Sequence, residues 1–235
     1  MALKSRYNDD ENDNDKIFEI GVDEVGRGPM FGRVYCAAVI LPQNFKHELM
    51  KDSKKFHSKK KLEETAKYIK ENCIEYTVAF EDEKCIDKEN IKNATHAAMH
   101  KAIKNLINKM KEKMNGTKEY LILVDGHDFK PITYFDNDKE LICEIPAVCI
   151  VGGDNLYTPI AAASILAKVE RDNYIYDLCK QYPKLDEYYD LSKNKGYGTA
   201  KHMEGIRQYG ISEWHRKSFG ICKEAKEMES LNPET

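Results

Sequence analysis

Residues 17–41 read IFEIGVDEVGRGPMFGRVYCAAVIL, and this stretch decides the predicted fold. Its two ends are apolar, which predicts a strand at Ile17–Val25 and a second, buried strand at Val34–Leu41. Three glycines and a proline lie between them, so that segment is predicted to be a loop. An acidic pair, Asp23-Glu24, comes just before the loop, close to the end of the first strand.

Strand-like and helix-like segments alternate along the rest of the chain. Apolar runs predict strands at Ile74–Phe80, Tyr120–Val124 and Pro146–Val151, and apolar residues three or four apart predict helices at Lys59–Asn72, Lys88–Met114 and Ile160–Tyr182. Helices interleaved with short strands indicate an α/β domain with helices packed on a mixed sheet. The expected divisions are a disordered acidic tail at 1–16, the core at 17–182, a helical region of the same domain at 183–222 and a loose tail at 223–235.

Length and composition exclude several classes of protein. A chain of 235 residues with a net charge of −3 is long enough for a sizeable core and is not a wholly basic, histone-like binder. No apolar stretch approaches the roughly 20 residues of a membrane span, and no signal peptide is visible. Seven cysteines without a CxxC pair indicate a reducing, cytoplasmic setting, although the lysine runs leave a nuclear location open.

Carboxylates occur at three places where the neighbouring residues are apolar. Asp23-Glu24 ends the first strand, and Asp125 directly follows the apolar run 121–124. Asp172 falls on the inward stripe of its predicted helix, together with Val169 and Ile165. Buried carboxylates are tolerated when they are paired or bind metal, and a cluster of them favours Mg²⁺ or Mn²⁺ and two-metal phosphoryl chemistry. Any one of these acids could instead cap a helix or form an ion pair, and for a lone aspartate after a strand that is the better explanation.

The loop after the first strand, residues 26–32, is called the glycine loop. It contains Gly26-Arg27-Gly28, whose backbone N–H groups and guanidinium suit a phosphate-bearing ligand. A dinucleotide-binding loop is rejected because Pro29 interrupts it and because a strand follows where that motif needs a helix. A plain tight turn explains the glycines, but it does not explain Arg27.

Two basic segments suit a nucleic-acid surface. Residues 51–61 read KDSKKFHSKKK and include Lys54 and Lys55. Residues 193–217 combine basic groups, among them Lys195 and Arg216, with aromatic rings, among them Tyr197 between two glycines. A solvated lysine-rich face is the alternative, and it is the better reading for residues 59–61.

Taken together, the motifs resemble those of the ribonuclease HII family, the type 2 ribonucleases H. The blocks GVDEVGRGPMFG, AAVIL, DSKK, VDG, IAAASILAKVERD, NKGYGTAKH and HRKSF follow one another in the order that the family shows and span residues 17–221. The resemblance implies a ribonuclease H-like α/β core with a small C-terminal helical region. It also implies cleavage of the RNA strand of RNA·DNA hybrids and incision at single ribonucleotides in duplex DNA, which leaves 5′-phosphate and 3′-hydroxyl ends and serves ribonucleotide removal, replication and repair.

Matching the motifs residue by residue gives the expected site. The catalytic, metal-binding acids would be Asp23, Glu24, Asp125 and Asp172, holding two Mg²⁺ or Mn²⁺ ions. Gly26, Arg27 and Gly28 would read the ribose 2′-hydroxyl, Tyr197 would pack on the next, deoxy sugar, and Lys54, Lys55, Lys195 and Arg216 would complete the nucleic-acid contacts. A monomer without a protein partner is expected.

The chain departs from the family pattern at Phe31, Arg33, His127 and the stretch 155–159, and residues 128–144 form an enlarged loop. Two rival functions remain open at this point. One is another nuclease of the same fold, such as a resolvase, against which the glycine loop and Tyr197 argue. The other is a nucleic-acid-binding module without catalysis, against which the retained acids argue.

Overall fold

The structure is a computed structural model that describes residues 3–8, 17–43, 45, 58–114, 119–137, 139–228 and 231. Its strands are β1 Ile17–Val25, β2 Val34–Ile40, β3 Glu75–Glu81, β4 Glu119–Asp125, β5 Thr133–Asp136, β6 Leu141–Glu144 and β7 Ala147–Ile150. Its α-helices are α1 Lys59–Asn72, α2 Glu83–Lys113, α3 Thr158–Gln181, α4 Pro183–Tyr189, α5 Leu191–Asn194 and α6 Ala200–Tyr209. Two short 3-10 turns lie at Gly153–Asn155 and Gly220–Lys223.

Five of the strands form one sheet in the order β3-β2-β1-β4-β7. The strand β4 runs parallel to both of its neighbours, with Val124 opposite Val22 of β1 and Asp125 opposite Ile150 of β7. The carboxyl ends of these three strands therefore meet at the same edge of the sheet, which is where sites form in α/β proteins. The predicted α/β fold is confirmed.

The chain divides into two compact units, and the division does not fall at the predicted boundary near residue 182. The first unit comprises Met1–Val25, Cys36–Ala79 and His96–Val169. The second comprises Gly26–Tyr35, Phe80–Thr95 and Glu170–Thr235. The glycine loop, predicted as part of the core, is thus grouped with the C-terminal helices.

In the first unit, the sheet packs against the apolar face of the second half of α2. The buried residues there include Ile20, Val22 and Ile122 from the strands and Ile103 and Leu106 from the helix. Helix α3 begins directly against β1, because a Cβ atom at Gly21 would overlap the backbone carbonyl of Pro159. This close approach holds the carboxyl-terminal half of β1 in place.

In the second unit, aromatic and aliphatic residues of the helices form a separate core. Phe31 of the glycine loop, Ile175 of α3, Tyr189 of α4 and Ile206 of α6 are all buried in it. The residues after 222 also take part, since the Ile211 N–H donates to the Lys226 carbonyl and the Met228 N–H donates to the Ile211 carbonyl. Residues 223–228 are therefore not the loose tail that the sequence predicted.

Several other elements differ from expectation. The predicted acidic tail is ordered at residues 3–8, where the Lys4 N–H donates to Leu156 and the Lys4 carbonyl accepts from Thr158. Helix α2 begins earlier than predicted and has a kink at Asn90 (φ 66°, ψ 162°). The enlarged loop contains the antiparallel hairpin β5–β6, whose short strands alternate too weakly to be recognised. No helix among the described residues is long and apolar enough to cross a membrane.

Candidate active site

Three carboxylates meet at the edge of the sheet where β1, β4 and β7 end. Asp23 is near the end of β1, Asp125 ends β4, and Asp154 lies in the 3-10 turn that follows β7. One oxygen of each lies within 4.8 Å of the corresponding oxygens of the other two. The Asp154 N–H also points at Asp125 Oδ1, 3.5 Å away. All three residues belong to the first unit.

Burial makes this cluster costly for the protein without a bound cation. Asp23 is 5% exposed and Asp154 is 3% exposed. Burial raises the pKa of Asp23 well above its ordinary value, and the charges of Glu24 and Asp125 raise it further. The hydroxyl of Ser164 and the backbone N–H of Glu24, which is 2.7 Å from Asp23 Oδ1, favour the ionised form but do not outweigh burial.

The donor set fits a hard divalent cation. It consists of carboxylate oxygens only, the ligands that Mg²⁺ and Mn²⁺ prefer, and among the described residues no cysteine or histidine belongs to it. A divalent charge would also offset the repulsion that raises the pKa of Asp23. The arrangement is therefore suited to metal-assisted chemistry on a phosphodiester.

The cost of ionised Asp23 gives a testable pH dependence. Because the folded state raises the pKa of Asp23 above the ordinary 3.8, this carboxyl favours folding below that value. The contribution is lost as the pH rises through the raised pKa. We therefore expect Asp23→Asn to raise the melting temperature of the protein in EDTA, and to raise it more at pH 8 than at pH 5. The same increase at both values would contradict this electrostatic account.

The structure brings together Asp23 and Asp125 of the four predicted acids. Glu24 follows Asp23 in β1 and is half-buried. Asp172 lies on α3 in the second unit, also half-buried. Asp154 was missed by the sequence reasoning, although the signal was present. It follows the predicted strand 146–151 and the Gly152-Gly153 pair, much as Asp125 follows the predicted strand 120–124.

In the second unit, the glycine loop is shaped by two buried arginines. Gly26 has φ +95°, and a Cβ atom there would overlap the side chain of Arg171. Arg216 donates to four carbonyls of the loop, at Gly26 (2.6 Å), Arg27 (2.9 Å), Pro29 (2.8 Å) and Gly32 (2.8 Å). Arg27 and Gly28 themselves are exposed.

The structure places Arg216, predicted as a nucleic-acid contact, in the interior of the second unit. Its side chain is 0% exposed, and all three of its guanidinium nitrogens donate to loop carbonyls. Arginine in a basic segment usually faces solvent, so no local pattern indicates this internal role. In this structure the side chain of Arg216 holds the glycine loop in shape.

The turn at Tyr197 presents an aromatic ring to solvent. Tyr197 is 46% exposed and lies between Gly196, which has φ +81°, and Gly198. Lys195 before it is half-buried, with its ammonium donating to the Ser192 carbonyl and lying 3.7 Å from the centroid of the Tyr176 ring. Lys54 and Lys55 lie outside the described residues.

Comparison with known proteins points to one family. The chain matches the family model described as Ribonuclease HII over residues 20–222. It is 43% identical over 201 residues to the ribonuclease HII of Cytophaga hutchinsonii, a match that covers 86% of this chain and 88% of that protein.

Two solved structures share the fold. One is the ribonuclease H2 from Pyrococcus horikoshii OT3, with a TM-score of 0.66, 22% identity and coverage of 88% of this chain and 96% of that one. The other is Bst ribonuclease HIII in complex with Mn²⁺, with a TM-score of 0.61, 20% identity and coverage of 88% and 68%. At these identities the likeness supports the fold alone.

Proposed function

The chain belongs to the ribonuclease HII family, and from this premise we propose that it cleaves the RNA strand of RNA·DNA hybrids with divalent cations held by its acidic cluster. The observation that carries the proposal is the convergence of Asp23, Asp125 and Asp154 at the carboxyl ends of three strands. A nuclease that does not distinguish ribose from deoxyribose needs neither the exposed glycine loop nor the exposed Tyr197 ring. Their presence supports recognition of a ribonucleotide over a resolvase-like activity.

In the proposed reaction, the carboxylates of the cluster hold and orient the cations beside the scissile phosphate. Glu24 and Asp172 are proposed as further ligands, and two ions are proposed in all. When bound, Mg²⁺ or Mn²⁺ would supply an activated water and stabilise charge on the leaving 3′-oxygen. Carboxylates placed before the substrate arrives cost no reorganisation during the reaction. A 5′-phosphate and a 3′-hydroxyl are the expected ends.

Substrate choice is assigned to the second unit. We propose that the backbone of Gly26, Arg27 and Gly28 hydrogen-bonds the 2′-hydroxyl, so a deoxy nucleotide would leave these groups unsatisfied. Tyr197, whose ring is exposed, would pack on the sugar of the following deoxynucleotide. These two contacts together favour single ribonucleotides in duplex DNA as well as long hybrids.

The direct test of the proposed activity uses a hybrid labelled on one strand at a time. With Mg²⁺ or Mn²⁺, we expect cleavage of the RNA strand at internal positions and no cleavage of the DNA strand. EDTA should abolish turnover and leave hybrid binding largely unchanged. Binding without cleavage in either metal would instead indicate a binding module that has lost catalysis.

A pair of variants tests which acids matter most. We expect Asp154→Asn to lower hybrid cleavage by about 100-fold or more, because its carboxylate shares the cluster with Asp23 and Asp125. Asp172→Asn is expected to have the smaller effect, since Asp172 is not part of that cluster. Rate constants for hybrid cleavage, measured for both variants in Mg²⁺ and in Mn²⁺, show which of the two substitutions is the more harmful. A more severe loss for Asp172→Asn would make it the principal partner of Asp23 and Asp125.

A further inference from the structure

Two histidines are completely buried side by side in the second unit. His202 lies on α6 and His215 lies in the segment that follows it, and both are 0% exposed. Their Nε2 atoms are 3.1 Å apart, a hydrogen-bond distance. The proposed reaction uses neither ring, so the pair needs its own explanation.

The backbone fixes where the protons of this pair reside. The Ser212 N–H donates to His215 Nδ1 (3.0 Å), so that nitrogen carries no proton. A neutral His215 then carries its proton on Nε2 and donates it to Nε2 of His202. The remaining proton of His202 is on Nδ1, which lies 3.0 Å from the Tyr197 carbonyl oxygen and donates to it. The chain of bonds thus ends at the residue that presents the exposed ring.

Apart from the Ser212 hydroxyl, 2.9 Å from His215 Nδ1, the groups that face the pair are mostly aromatic, and none of those among the described residues carries a negative charge. The Tyr189 ring of α4 is 4.7 Å from the His215 ring and 5.7 Å from the His202 ring, and its hydroxyl donates to the Gly210 carbonyl. Phe31 of the glycine loop meets His215 edge-on at 5.0 Å. Arg216 follows His215 in the chain, and its guanidinium is directed at the loop carbonyls.

A proton added to either ring would break this arrangement. On His202 Nε2 it would oppose the Nε2 proton of His215, which sets two donors against each other in a buried, largely apolar site. On His215 Nδ1 it would displace the bond from the Ser212 N–H, with the Ser212 hydroxyl, 2.9 Å away, as the available acceptor. The intact hydrogen-bond chain therefore exists only while both histidines are neutral.

We infer that the neutral His202–His215 pair is a positioning device that holds the Tyr197 turn in its ribonucleotide-reading form, and that acid releases it. The inference rests on the proposed function, because it assigns Tyr197 a substrate contact. The turn needs support, since Lys195 and Gly196 both have positive φ (53° and 81°) and the Tyr197 carbonyl has only the Thr199 N–H as its other donor among the described contacts.

The electrostatics agree with this geometry. Burial lowers the pKa of both histidines, and the proximity of His202 lowers that of His215 further. When the hydrogen-bond chain is broken and the two histidines are exposed to water, each takes up a proton near pH 6.5, the ordinary pKa of histidine. The stabilising contribution of the pair is therefore fully present above that pH and is lost as the pH falls from it through the lowered pKa values of the folded state.

The kinetic test compares two substrates so that the metal chemistry cancels. The quantity measured is the ratio of kcat/KM for a duplex with one ribonucleotide to kcat/KM for a uniform RNA·DNA hybrid. We expect His202→Phe, which keeps a ring but removes both hydrogen bonds, to lower this ratio about tenfold at pH 7.5. Tyr197→Ala should lower it similarly, and the double variant should be no worse than Tyr197→Ala. The control His100→Phe should leave the ratio unchanged.

The pH profile and a conservative variant distinguish positioning from a merely structural role. In the wild-type protein the ratio should stay constant above pH 6.5 and fall as the pH is lowered through the depressed pKa values of the pair. The amide of His202→Asn can still donate to the Tyr197 carbonyl. We therefore expect this variant to have a kcat/KM ratio close to that of the wild type, and a weaker dependence of the ratio on pH. A ratio independent of pH in the wild type, or additive effects in the double variant, would overturn the inference.

Nitrogen-15 NMR of the histidine side chains in the full chain tests the pair without any substrate. At pH 7.5 we expect both rings neutral, with His215 protonated on Nε2 and His202 on Nδ1. A charged ring or the opposite tautomers would overturn the inference. If the wild type cleaves no hybrid but shows these tautomers, the proposed function fails and the hydrogen-bond chain stands.

Discussion

Asp125→Asn is expected to lower cleavage of the RNA strand of a hybrid by about 1,000-fold or more, while the protein stays folded. Asparagine matches aspartate in size but offers one neutral oxygen in place of a charged carboxylate. The remaining pair, Asp23 and Asp154, would hold a divalent cation more weakly and misplace it relative to the phosphate. The loss should appear in kcat at saturating Mg²⁺, because it concerns the reaction more than hybrid binding.

The control for this prediction is Asp177→Asn. Asp177 lies on α3 with a largely exposed side chain, and its change should leave both rate and stability within error of the wild type. Circular dichroism and thermal melting show whether the Asp125 variant is folded. A folded Asp125→Asn protein with more than about a tenth of wild-type activity would remove Asp125 from the proposed reaction.

Arg216→Met is expected to cause the largest loss of stability, about 3–5 kcal/mol. Methionine fills much of the space but leaves four loop carbonyls without their donor. Burial, together with the proximity of Arg171, lowers the pKa of Arg216 to about 9, so its guanidinium is still charged at neutral pH. Hydrogen bonds from a charged donor are among the stronger ones in proteins. Their loss destabilises the protein by more than it gains from no longer burying the charged guanidinium.

Chemical unfolding of the full chain measures this effect, with Arg207→Met as the matched control. Arg207 is exposed on α6 and pairs with Glu204 at the surface, so its replacement should cost less than about 1 kcal/mol. If Arg216→Met proves too unstable to purify, Arg216→Lys keeps the charge but loses the fork of donors and should fall between the two. Equal stability of the Arg216 and Arg207 variants would contradict the role assigned to Arg216.

The sequence predicted the elements whose signal is local. The bounds of α1 agree with Ser58 as its N-cap, and β1, β2 and β4 coincide with stretches rich in apolar residues. Asp23 and Asp125 could be placed in one site because both come at the carboxyl end of predicted strands in an α/β protein. These inferences needed only periodicity and the rule for sheet edges.

The features that the sequence did not reveal depend on tertiary packing. The position of Asp154 after a predicted strand is a usable signal, but its burial beside Asp23 and Asp125 depends on tertiary packing that no local pattern reports. Arg216 is buried because the loop of residues 26–32 wraps its carbonyls around the guanidinium, against the usual exposure of arginine. The grouping of the glycine loop with the C-terminal helices follows from the same packing.

The most direct measurement uses two duplexes of one sequence, of which one carries a single ribonucleotide and the other is all DNA. With Mg²⁺ and, separately, Mn²⁺, the account predicts a single nick in the first duplex, with a 5′-phosphate and a 3′-hydroxyl, and no nick in the second. Either no nick in the presence of both metals, or equal nicking of the two duplexes, would contradict it.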